Sequence, residues 1–366
     1  MSGLLATTLA HLEALVRFDT QNPPRAIDSG GIFGYLQENL PGFDCTLTNH
    51  GEGRVALLAK RGNPDTVFNF HIDTVPASGD WQRDPLLLTI DADRAYGLGA
   101  CDIKGAAAAM LSASADSDGD LALLFTSDEE AGAGCCVPAF LQTDHGFKNA
   151  VVAEPTACRA VLAHRGIATA TIEFEGTAGH ASGSDRVRAS AVHRAVRWAG
   201  RCLDYALAHQ DDAFESLVGF PLNIGRIEGG VKPNIVAPNA VCQFGVRPLP
   251  GRNGRDMLET LRELAEPGSV KVFSIGFLGP SLPREDLDDV EQAAAFVQRL
   301  GLPRGPAVDF WTEAALFAAS GMTAVVFGPG DIAQAHTTDE WVALAQLEST
   351  AEAYVKMIHR EVTANA

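Results

Sequence analysis

Acids and histidines in this sequence recur directly after short apolar runs, at the points where strands would end. In the stretch FNFHIDTVP, His71 and Asp73 lie two residues apart, so an extended chain turns both side chains to the same side. Comparable positions along the chain complete the set His71, Asp73, Asp102, Glu129, Glu130, Glu154 and His336. Because ligands of an open α/β sheet bind beyond the carboxyl ends of its strands, these side chains are candidates for one common site.

Carboxylates that converge on one point repel each other unless cations neutralise them. Divalent cations would balance the acids of this set, and the two imidazoles would complete a mixed nitrogen and oxygen ligand shell. Such a shell suits zinc or cobalt, with manganese as a further option, at one or two ions per subunit. The predicted metal ligands are His71, Asp102, Glu130, Glu154 and His336.

Two acids of the set are not among the predicted metal ligands. Glu129 is free to act as a general base, and Asp73 could hold the ring nitrogen of His71 that faces away from the metal. Taken singly, any one of these residues is more often a structural or solvated group. Their joint placement at strand ends is what favours a site.

The segments that would position these residues alternate between strands and helices. VALLAK, TVFNFHID, LALLFTS and AVVAEP have the continuous apolar pattern of strands in a covered sheet, and the alanine-rich GAAAAMLSAS is predicted to be a closely packed helix. Near the C-terminus we predict a helix around 290–300, the strand TAVVFG and a last helix from Trp341. The predicted fold is α/β: a mixed, mostly parallel sheet with helices on both faces, formed by residues 1–164 and 278–366.

Residues 165–277 have a different pattern and are predicted to form an inserted lid domain. The order is strand, helix, strand, strand, helix, strand, which is the split β-α-β arrangement of an α+β, ferredoxin-like sandwich. The first strand, GIATATIEFEG, alternates as a half-exposed strand does, and the helix near 190–209 is amphipathic. We predict that this strand is an edge that could pair with a second chain.

The composition limits the classes of partner. Lys and Arg number 28 against 46 Asp and Glu, a formal net charge of −18. That charge argues against nucleic acid and anionic membranes, since both bind clustered cations. No targeting signal and no membrane-spanning apolar run is recognisable. The seven cysteines include no C-x-x-C pair, so we expect a cytoplasmic protein in which the adjacent Cys135 and Cys136 are small buried residues.

Several separated motifs together resemble the M20 family of metallohydrolases, and especially its acetylornithine deacetylase branch. They are FNFHIDTVP, GLGACDIKG, SDEEAG, AEP and GPGDIAQAHTTDE, in the family's order and over nearly the whole chain. The resemblance implies a zinc-exopeptidase-like fold, with Glu129 as the base and a cis peptide after the bridging Asp102. It also implies one metal held by His71, Asp102 and Glu154, and another held by Asp102, Glu130 and His336.

The inserted segment also resembles that family. GTAGHAS around His180 is similar to a lid motif whose histidine reaches a substrate oxygen, in several relatives from the opposite subunit of a homodimer. The segments around Asn234 and Arg247 resemble those that hold the substrate carboxylate, a task that suits the planar fork of arginine. The alternatives are that His180 orders its own turn and that Arg247 forms a surface salt bridge.

One departure from the family pattern concerns the substrate. Where many members have Thr-Asp-Ala, this chain has VDFWTEAALF, with Glu313 in place of the aspartate, as in acetylcitrulline deacetylases. The resemblance therefore implies a small N-acyl amino acid as substrate, namely N-acetyl-L-citrulline, with Glu313 among the substrate-binding residues. Alternatives are deacetylation of N-acetyl-L-ornithine, removal of succinate from succinyl-diaminopimelate, dipeptide cleavage, or a non-catalytic relative that binds metal.

Overall fold

The computed structural model describes residues 2–24, 27–132, 134–183, 186–283 and 288–364. The chain divides into two compact units. The large unit comprises Met1–Leu162, Asp288–Gly305 and Thr312–Ala366, and the inserted unit comprises Ala163–Leu287 and Pro306–Trp311. The domain limits inferred from the sequence, 1–164 with 278–366 and 165–277, stay a prediction.

The helices and strands follow in chain order. The helices are α1 (Gly3–Val16), α2 (Gly31–Glu38), α3 (Lys104–Ala115), α4 (Cys136–Leu141), α5 (Arg186–Ala189), α6 (Ala191–Ala208), α7 (Gly254–Glu263), α8 (Asp288–Leu300), α9 (Ala314–Ala319) and α10 (Leu344–Ala364). The strands are β1 (Asp44–Asn49), β2 (Val55–Arg61), β3 (Thr66–His71), β4 (Thr89–Asp91), β5 (Arg94–Tyr96), β6 (Leu121–Thr126), β7 (Asn149–Val152), β8 (Ile167–Glu175), β9 (Gly179–His180), β10 (Ala213–Phe214), β11 (Leu217–Val218), β12 (Leu222–Gly229), β13 (Ile235–Val236), β14 (Asn239–Val246), β15 (Val270–Gly279), β16 (Thr323–Val326) and β17 (Trp341–Ala343).

The large unit is built on a sheet of order β1-β2-β6-β3-β7-β16. Strands β6, β3, β7 and β16 run parallel, whereas β1 and β2 are antiparallel additions at one edge. Every residue of β3, β6 and β7 is buried, so both faces of the sheet are covered. The predicted mixed, mostly parallel α/β sheet is confirmed.

Helix α3 packs closely because its side chains are small. Its residues from Lys104 to Ser114 are all buried, and it lies against α1 and α10. At Gly105 an added Cβ would lie 2.3 Å from the carbonyl oxygen of Ala100, so only glycine fits there. The tight turn that this permits is the one that carries Asp102.

The start of the last helix differs from the prediction. Trp341 does not begin a helix, because Trp341–Ala343 forms β17 and pairs antiparallel with β5. Val342 is buried, and α10 begins only at Leu344. An apolar run this short has no periodicity that separates a strand from a helix, and the partner strand decides.

The inserted unit contains a four-stranded antiparallel sheet of order β12-β14-β8-β15, with α6 and α7 in the intervening connections. The predicted order of elements is therefore present. Strand β8, predicted as an edge, was assigned wrongly: it lies inside the sheet between β14 and β15, and the edges are β12 and β15. Pairing over long sequence separations, which a local pattern does not reveal, decides this position.

Helices α6 and α7 cover one face of that sheet, and no described helix of the inserted unit packs on the other face. Ala170, Ile172 and Phe244 point into a core that includes Trp198 of α6 and Leu258 of α7. The alternate residues of β8 and β14 are half-buried or exposed, as the period of a strand with one covered face requires. We call this second surface the open face.

None of the helices in the described part of the chain is both long enough and apolar enough to span a membrane.

Candidate active site

The carboxyl ends of parallel strands bring the predicted residues of the large unit to one edge of its sheet. His71 is the last residue of β3, and Glu129 and Glu130 follow β6. Glu154 follows β7, and His336 lies in the loop after β16. This is the edge at which open α/β sheets bind their ligands.

Asp102 lies between the two histidines, and the contacts form two clusters that share it. Nε2 of His71 is 3.0 Å from Oδ1 of Asp102 and 3.9 Å from Oε1 of Glu154. Nε2 of His336 is 3.3 Å from Oδ2 of Asp102 and 2.9 Å from Oε1 of Glu130. Ligand atoms of His71, Asp102 and Glu130 all lie within 4.8 Å of one another. The two clusters contain the residues of the two ligand sets that the family resemblance implies, and the assignment of these residues as metal ligands stays a prediction.

Burial and crowding shift the pKa values of the carboxyls in these clusters. Burial raises the pKa of both Glu130 and Glu154, and the charge of Asp102 adds to the effect, whereas the hydrogen bond with His336 opposes it at Glu130. Burial would also raise the pKa of Asp102, but its contacts with His336 and His71 outweigh it and lower the pKa. Converging carboxylates and imidazole nitrogens at this spacing are a donor set that fits a divalent cation of the zinc type.

Asp73 holds the loop of the two glutamates. Its carboxylate accepts the backbone N–H groups of Glu129 and Glu130 at 3.3 and 3.0 Å, and the side-chain amide of Asn22 donates to it at 2.9 Å. The carboxylate lies 3.7 Å from Nδ1 of His71, whereas the backbone carbonyl of Asp73 lies nearer, at 3.1 Å. Asp73 is thus next to the far ring nitrogen, as predicted, but its shorter side-chain contacts are with the loop.

Glu340 was not identified from the sequence, although it holds the loop of Asp102. It is buried, and its carboxylate accepts the N–H groups of Gly99, Cys101 and Asp102 at 3.0, 2.8 and 2.9 Å. Glu340 is the last residue of the motif GPGDIAQAHTTDE. That position is the only feature of the sequence that points to a role for this acid. The peptide between Asp102 and Ile103 in this loop is cis, as predicted.

Glu129 and Glu313 are two acids of this region that take no part in the contacts of the clusters. Burial raises the pKa of Glu129 to about 8, and the charges of Glu130 and Asp73 add to the effect. Glu313 is 3% exposed, and burial followed by the charge of Glu129 raises its pKa well above the ordinary value. Burial therefore favours the neutral form of both carboxyls, and Glu129, with a pKa of about 8, can exchange a proton near neutral pH.

Asp128, Cys135 and Cys136 form a second group of metal-ligating types. Oδ2 of Asp128 accepts the N–H groups of both cysteines at the start of α4, so this carboxylate holds the backbone there. Burial and the charge of Asp128 raise the pKa of both thiols, so they stay protonated and poor metal ligands. Cys136 is buried, as predicted, and Cys135 is only half-buried.

His180 and Asn234 lie side by side in the inserted unit. Strand β9 pairs with β13, and the carbonyl of Asn234 accepts the N–H of Ala181 at 3.1 Å. His180 is exposed, and its Nδ1 lies 2.8 Å from Oγ of Ser182. This contact orders the local turn and leaves Nε2 without a described partner.

Arg247 follows β14 on the open face. Among the residues that the structure describes, no carboxylate lies within ion-pair distance of its guanidinium, so the predicted alternative of a salt bridge has no described partner. The buried Arg165 donates to the carbonyl of Arg247 at 3.3 Å and to that of Val218 at 2.7 Å, and pairs with Asp309 at 2.6 Å. Arg165, which sequence reasoning missed, fixes the backbone from which Arg247 projects.

Comparison with known proteins agrees with this geometry. Residues 67–360 match the model of peptidase family M20/M25/M40. The chain is 50% identical over 364 residues to the N-acetyl-L-citrulline deacetylase of Xanthomonas campestris pv. campestris, covering 98% of this chain and 99% of the relative. It is 31% identical to the acetylornithine deacetylase of Yersinia pseudotuberculosis, covering 83% of this chain and 78% of the relative.

A solved structure shares the fold. The aminopeptidase PepT of Bacillus cereus superimposes with a TM-score of 0.73 at 20% identity, covering 98% of this chain and 99% of that one. The strand-end clusters, the matched residues and the full-length likeness together establish that the chain belongs to peptidase family M20/M25/M40.

Proposed function

We propose that this chain is a hydrolase acting on linear amides that removes the acetyl group from N-acetyl-L-citrulline, giving L-citrulline and acetate. The reaction belongs to arginine biosynthesis. The observation that carries the proposal is 50% identity across 98% of the chain to a deacetylase for that compound. Relatives that act on acetylornithine are more distant, at 31% identity, and make that substrate the main competitor.

The family is metal-dependent, and the residues at the strand ends fit a metal pair. We assign one position to His71, Asp102 and Glu154 and the other to Asp102, Glu130 and His336, since these groups already lie in contact. Their mixed imidazole and carboxylate donors suit zinc or cobalt, and manganese is the next choice. When bound, the metal supplies a Lewis acid that activates water and polarises the amide carbonyl.

Glu129 is the proposed general base. A carboxyl with a pKa of about 8 can take a proton from the attacking water and give it to the departing nitrogen within one turnover near neutral pH. Asp73 positions it, because its carboxylate accepts the N–H of Glu129. The neighbouring Glu313 is a substrate-binding residue in this proposal, and its neutral carboxyl would donate a hydrogen bond to the substrate.

The inserted unit supplies the groups that bind and orient the substrate. His180 would stabilise the oxyanion of the tetrahedral intermediate, since Nε2 is available as a donor. Arg247 and Asn234 would hold the α-carboxylate and so fix the position of the amide. The backbone support from Arg165 restricts the placement of Arg247.

A homodimer formed through the inserted unit is part of the proposal. Strand β12 is an edge of the sheet, and it carries the exposed Ile227. Helix α6 exposes Val196, Leu203 and Leu207 at helical spacing, which makes an apolar stripe beside that edge. An open strand edge with exposed apolar residues favours pairing with a second copy about a two-fold axis.

We also propose that the enzyme works in the cytoplasm. All seven cysteines are free thiols in the structure, which fits a reducing compartment, and the proposed substrate belongs to biosynthesis.

Hydrolysis of N-acetyl-L-citrulline and N-acetyl-L-ornithine by the purified protein, with and without added zinc or cobalt, tests the substrate assignment. We expect a higher kcat/KM for acetylcitrulline, and metal dependence with both compounds. Succinyl-diaminopimelate and a dipeptide serve as controls for other activities of the family. Preference for any of these three competitors would overturn the assignment.

The role of His180 is tested by mixing two inactive proteins, His180→Ala and Glu129→Gln, under conditions of subunit exchange. If His180 acts across the dimer, mixed dimers regain one working site, up to about a quarter of all sites at random exchange. Size-exclusion chromatography with light scattering verifies the dimer. Absence of recovery after demonstrated exchange would place His180 in its own subunit or outside catalysis.

A further inference from the structure

The open face of the inserted unit contains a cavity of about 550 Å³, within the size range of small-molecule sites. Arg247 lies at one end of it. The polar side chains along its wall are uncharged hydroxyl and carboxamide groups, and its floor includes glycine. The polar wall residues are Thr169, Thr171, Asn223 and Gln243.

The sheet register shows how the cavity is made. Gly245 of β14 is directly opposite Asn223 of β12 on one side and Thr169 of β8 on the other. A Cβ at Gly245 would lie 3.3 Å from Cγ2 of Thr169, so glycine leaves the centre of this row open. In the next row, Gln243 is opposite Thr171. Polar groups thus surround a gap in the surface of the sheet.

The backbone spacing between Arg247 and the row of Gly245 is comparable with the length of an amino-acid side chain. Gly245 precedes Arg247 by two residues, roughly 7 Å along a strand, and that is comparable with the length of a citrulline side chain. A substrate whose carboxylate is held by Arg247 could therefore extend its side chain along the strand to the row of Asn223 and Thr169.

The wall offers hydrogen bonds but no negative charge. Arg247 is the one charged residue among the described residues that line the cavity. On this face, Glu173 lies two residues beyond Thr171, and Glu228 pairs at 2.6 Å with Arg226, the register partner of Gln243 on β12. Neither lines the cavity. A cation placed there would lose water without gaining a carboxylate.

Hydrogen-bonding groups are available in the wall. Oγ1 of Thr169 accepts the N–H of Phe277 at 2.9 Å, which leaves its hydroxyl hydrogen free to donate. In the described part of the chain, the carboxamides of Asn223 and Gln243 have no hydrogen-bond partner. A ureido group has one acceptor oxygen and several N–H donors, and carboxamides and hydroxyls complement both.

We propose that this cavity is the subsite that distinguishes substrates by side-chain charge, accepting the neutral ureido group of N-acetyl-L-citrulline and disfavouring the ammonium of N-acetyl-L-ornithine. The inference rests on the proposed function and deepens it. Asn223, Gln243 and Thr169 are the specificity-determining residues, and Arg247 anchors the other end of the substrate. An ammonium has hydrogen-bond donors only and cannot pair with the donor groups of this wall, whereas a ureido group pairs with donors and acceptors alike.

The test introduces a carboxylate where the cavity has an amide. Gln243→Glu keeps the size of the side chain and adds one negative charge, and Asn223→Asp does the same in the neighbouring row. We expect kcat/KM for acetylcitrulline to fall and that for acetylornithine to rise, so that their ratio changes by at least about 10-fold. The matched control is Asn239→Asp, which adds the same charge four residues earlier on β14, outside the cavity.

Two further measurements distinguish a failure of the subsite assignment from a loss of folding or a failure of the proposed function. Thermal unfolding verifies that each variant is folded, and calorimetric titration of L-citrulline and L-ornithine into each variant measures binding without turnover. If the unaltered enzyme hydrolyses neither acetylated compound, the proposed function fails. If it prefers acetylcitrulline, but Gln243→Glu and Asn223→Asp change neither the kcat/KM ratio nor the binding more than Asn239→Asp does, only the subsite assignment is overturned.

Discussion

The strand-end clusters of the large unit and the cavity on the open face of the inserted unit are built in opposite ways. The clusters gather acids and histidines at the ends of parallel strands, where their side chains form a donor set that fits a divalent cation. The cavity crosses the middle of antiparallel strands and has one charged group in its described lining. This difference separates two tasks: concentrated charge suits bond cleavage, and neutral hydrogen-bonding groups suit the choice between substrates.

The two regions also differ in how firmly they are held. Asp73 and Glu340 tie the cluster loops through five backbone N–H bonds, and both acids are buried. The cavity side chains Asn223 and Gln243 are exposed. Substitutions in the clusters should therefore abolish the reaction, whereas substitutions in the cavity should redirect it.

Removal of the metal should have the largest effect on activity. This effect should arise at the strand-end clusters and not at the cavity. Dialysis against a strong chelator should abolish hydrolysis, because the carboxylates then lack the cation that activates water. Zinc or cobalt should restore it, and metal binding should raise the melting temperature by mass action. The readouts are hydrolysis, elemental analysis and thermal unfolding. Full activity in a preparation verified as metal-free would contradict the assignment of the clusters.

Glu129→Gln should lower kcat by at least about 100-fold, the lower range for general acid–base catalysis. Metal content should hardly change, because Glu130 and not Glu129 contacts His336. The comparison variant is Glu130→Gln, which should lose metal together with activity. Loss of metal in Glu129→Gln and its retention in Glu130→Gln would show that the two roles are exchanged.

Glu340→Gln tests whether the loop of Asp102 must be held by a charge. The substitution leaves one acceptor oxygen where a carboxylate now serves three N–H groups. We expect metal affinity to fall about 10- to 100-fold, the range for groups that orient ligands. A competition titration with a coloured chelator measures this. Glu352→Gln on the exposed surface of α10 is the control, and equal affinities in both variants would exclude a positioning role.

Arg247→Lys should have the smallest effect of the series. Lysine keeps the charge but loses the planar fork that binds both carboxylate oxygens, so we expect KM to rise about 10-fold with a smaller change in kcat. Arg252→Lys, at an exposed position that faces Asp212 at 3.8 Å, is the control. An unchanged KM in Arg247→Lys would move carboxylate binding elsewhere and weaken the contrast between the two regions.

The sequence alone determined the kind of chemistry and the class of fold. A residue at a strand end directly follows or ends an apolar run, so the positions of His71, Glu129 and Glu154 at the ends of strands could be predicted from local pattern. The same locality predicted the strand, helix, strand, strand, helix, strand order of the inserted unit. These features could be predicted from the sequence because each depends on residues that are close in the chain.

Only the tertiary structure decided features that depend on distant partners. Glu340 is 238 residues from the N–H of Asp102, and no local pattern connects them. Strand β8 is interior and Trp341 starts a strand because of the strands beside them. The cavity around Gly245 exists because register places Asn223 and Thr169 on either side of it. The register of these strands follows from burial of one face of the sheet over the whole unit. Segments of β8, β12 and β14, which are far apart in the chain, therefore line one cavity only once the chain has folded.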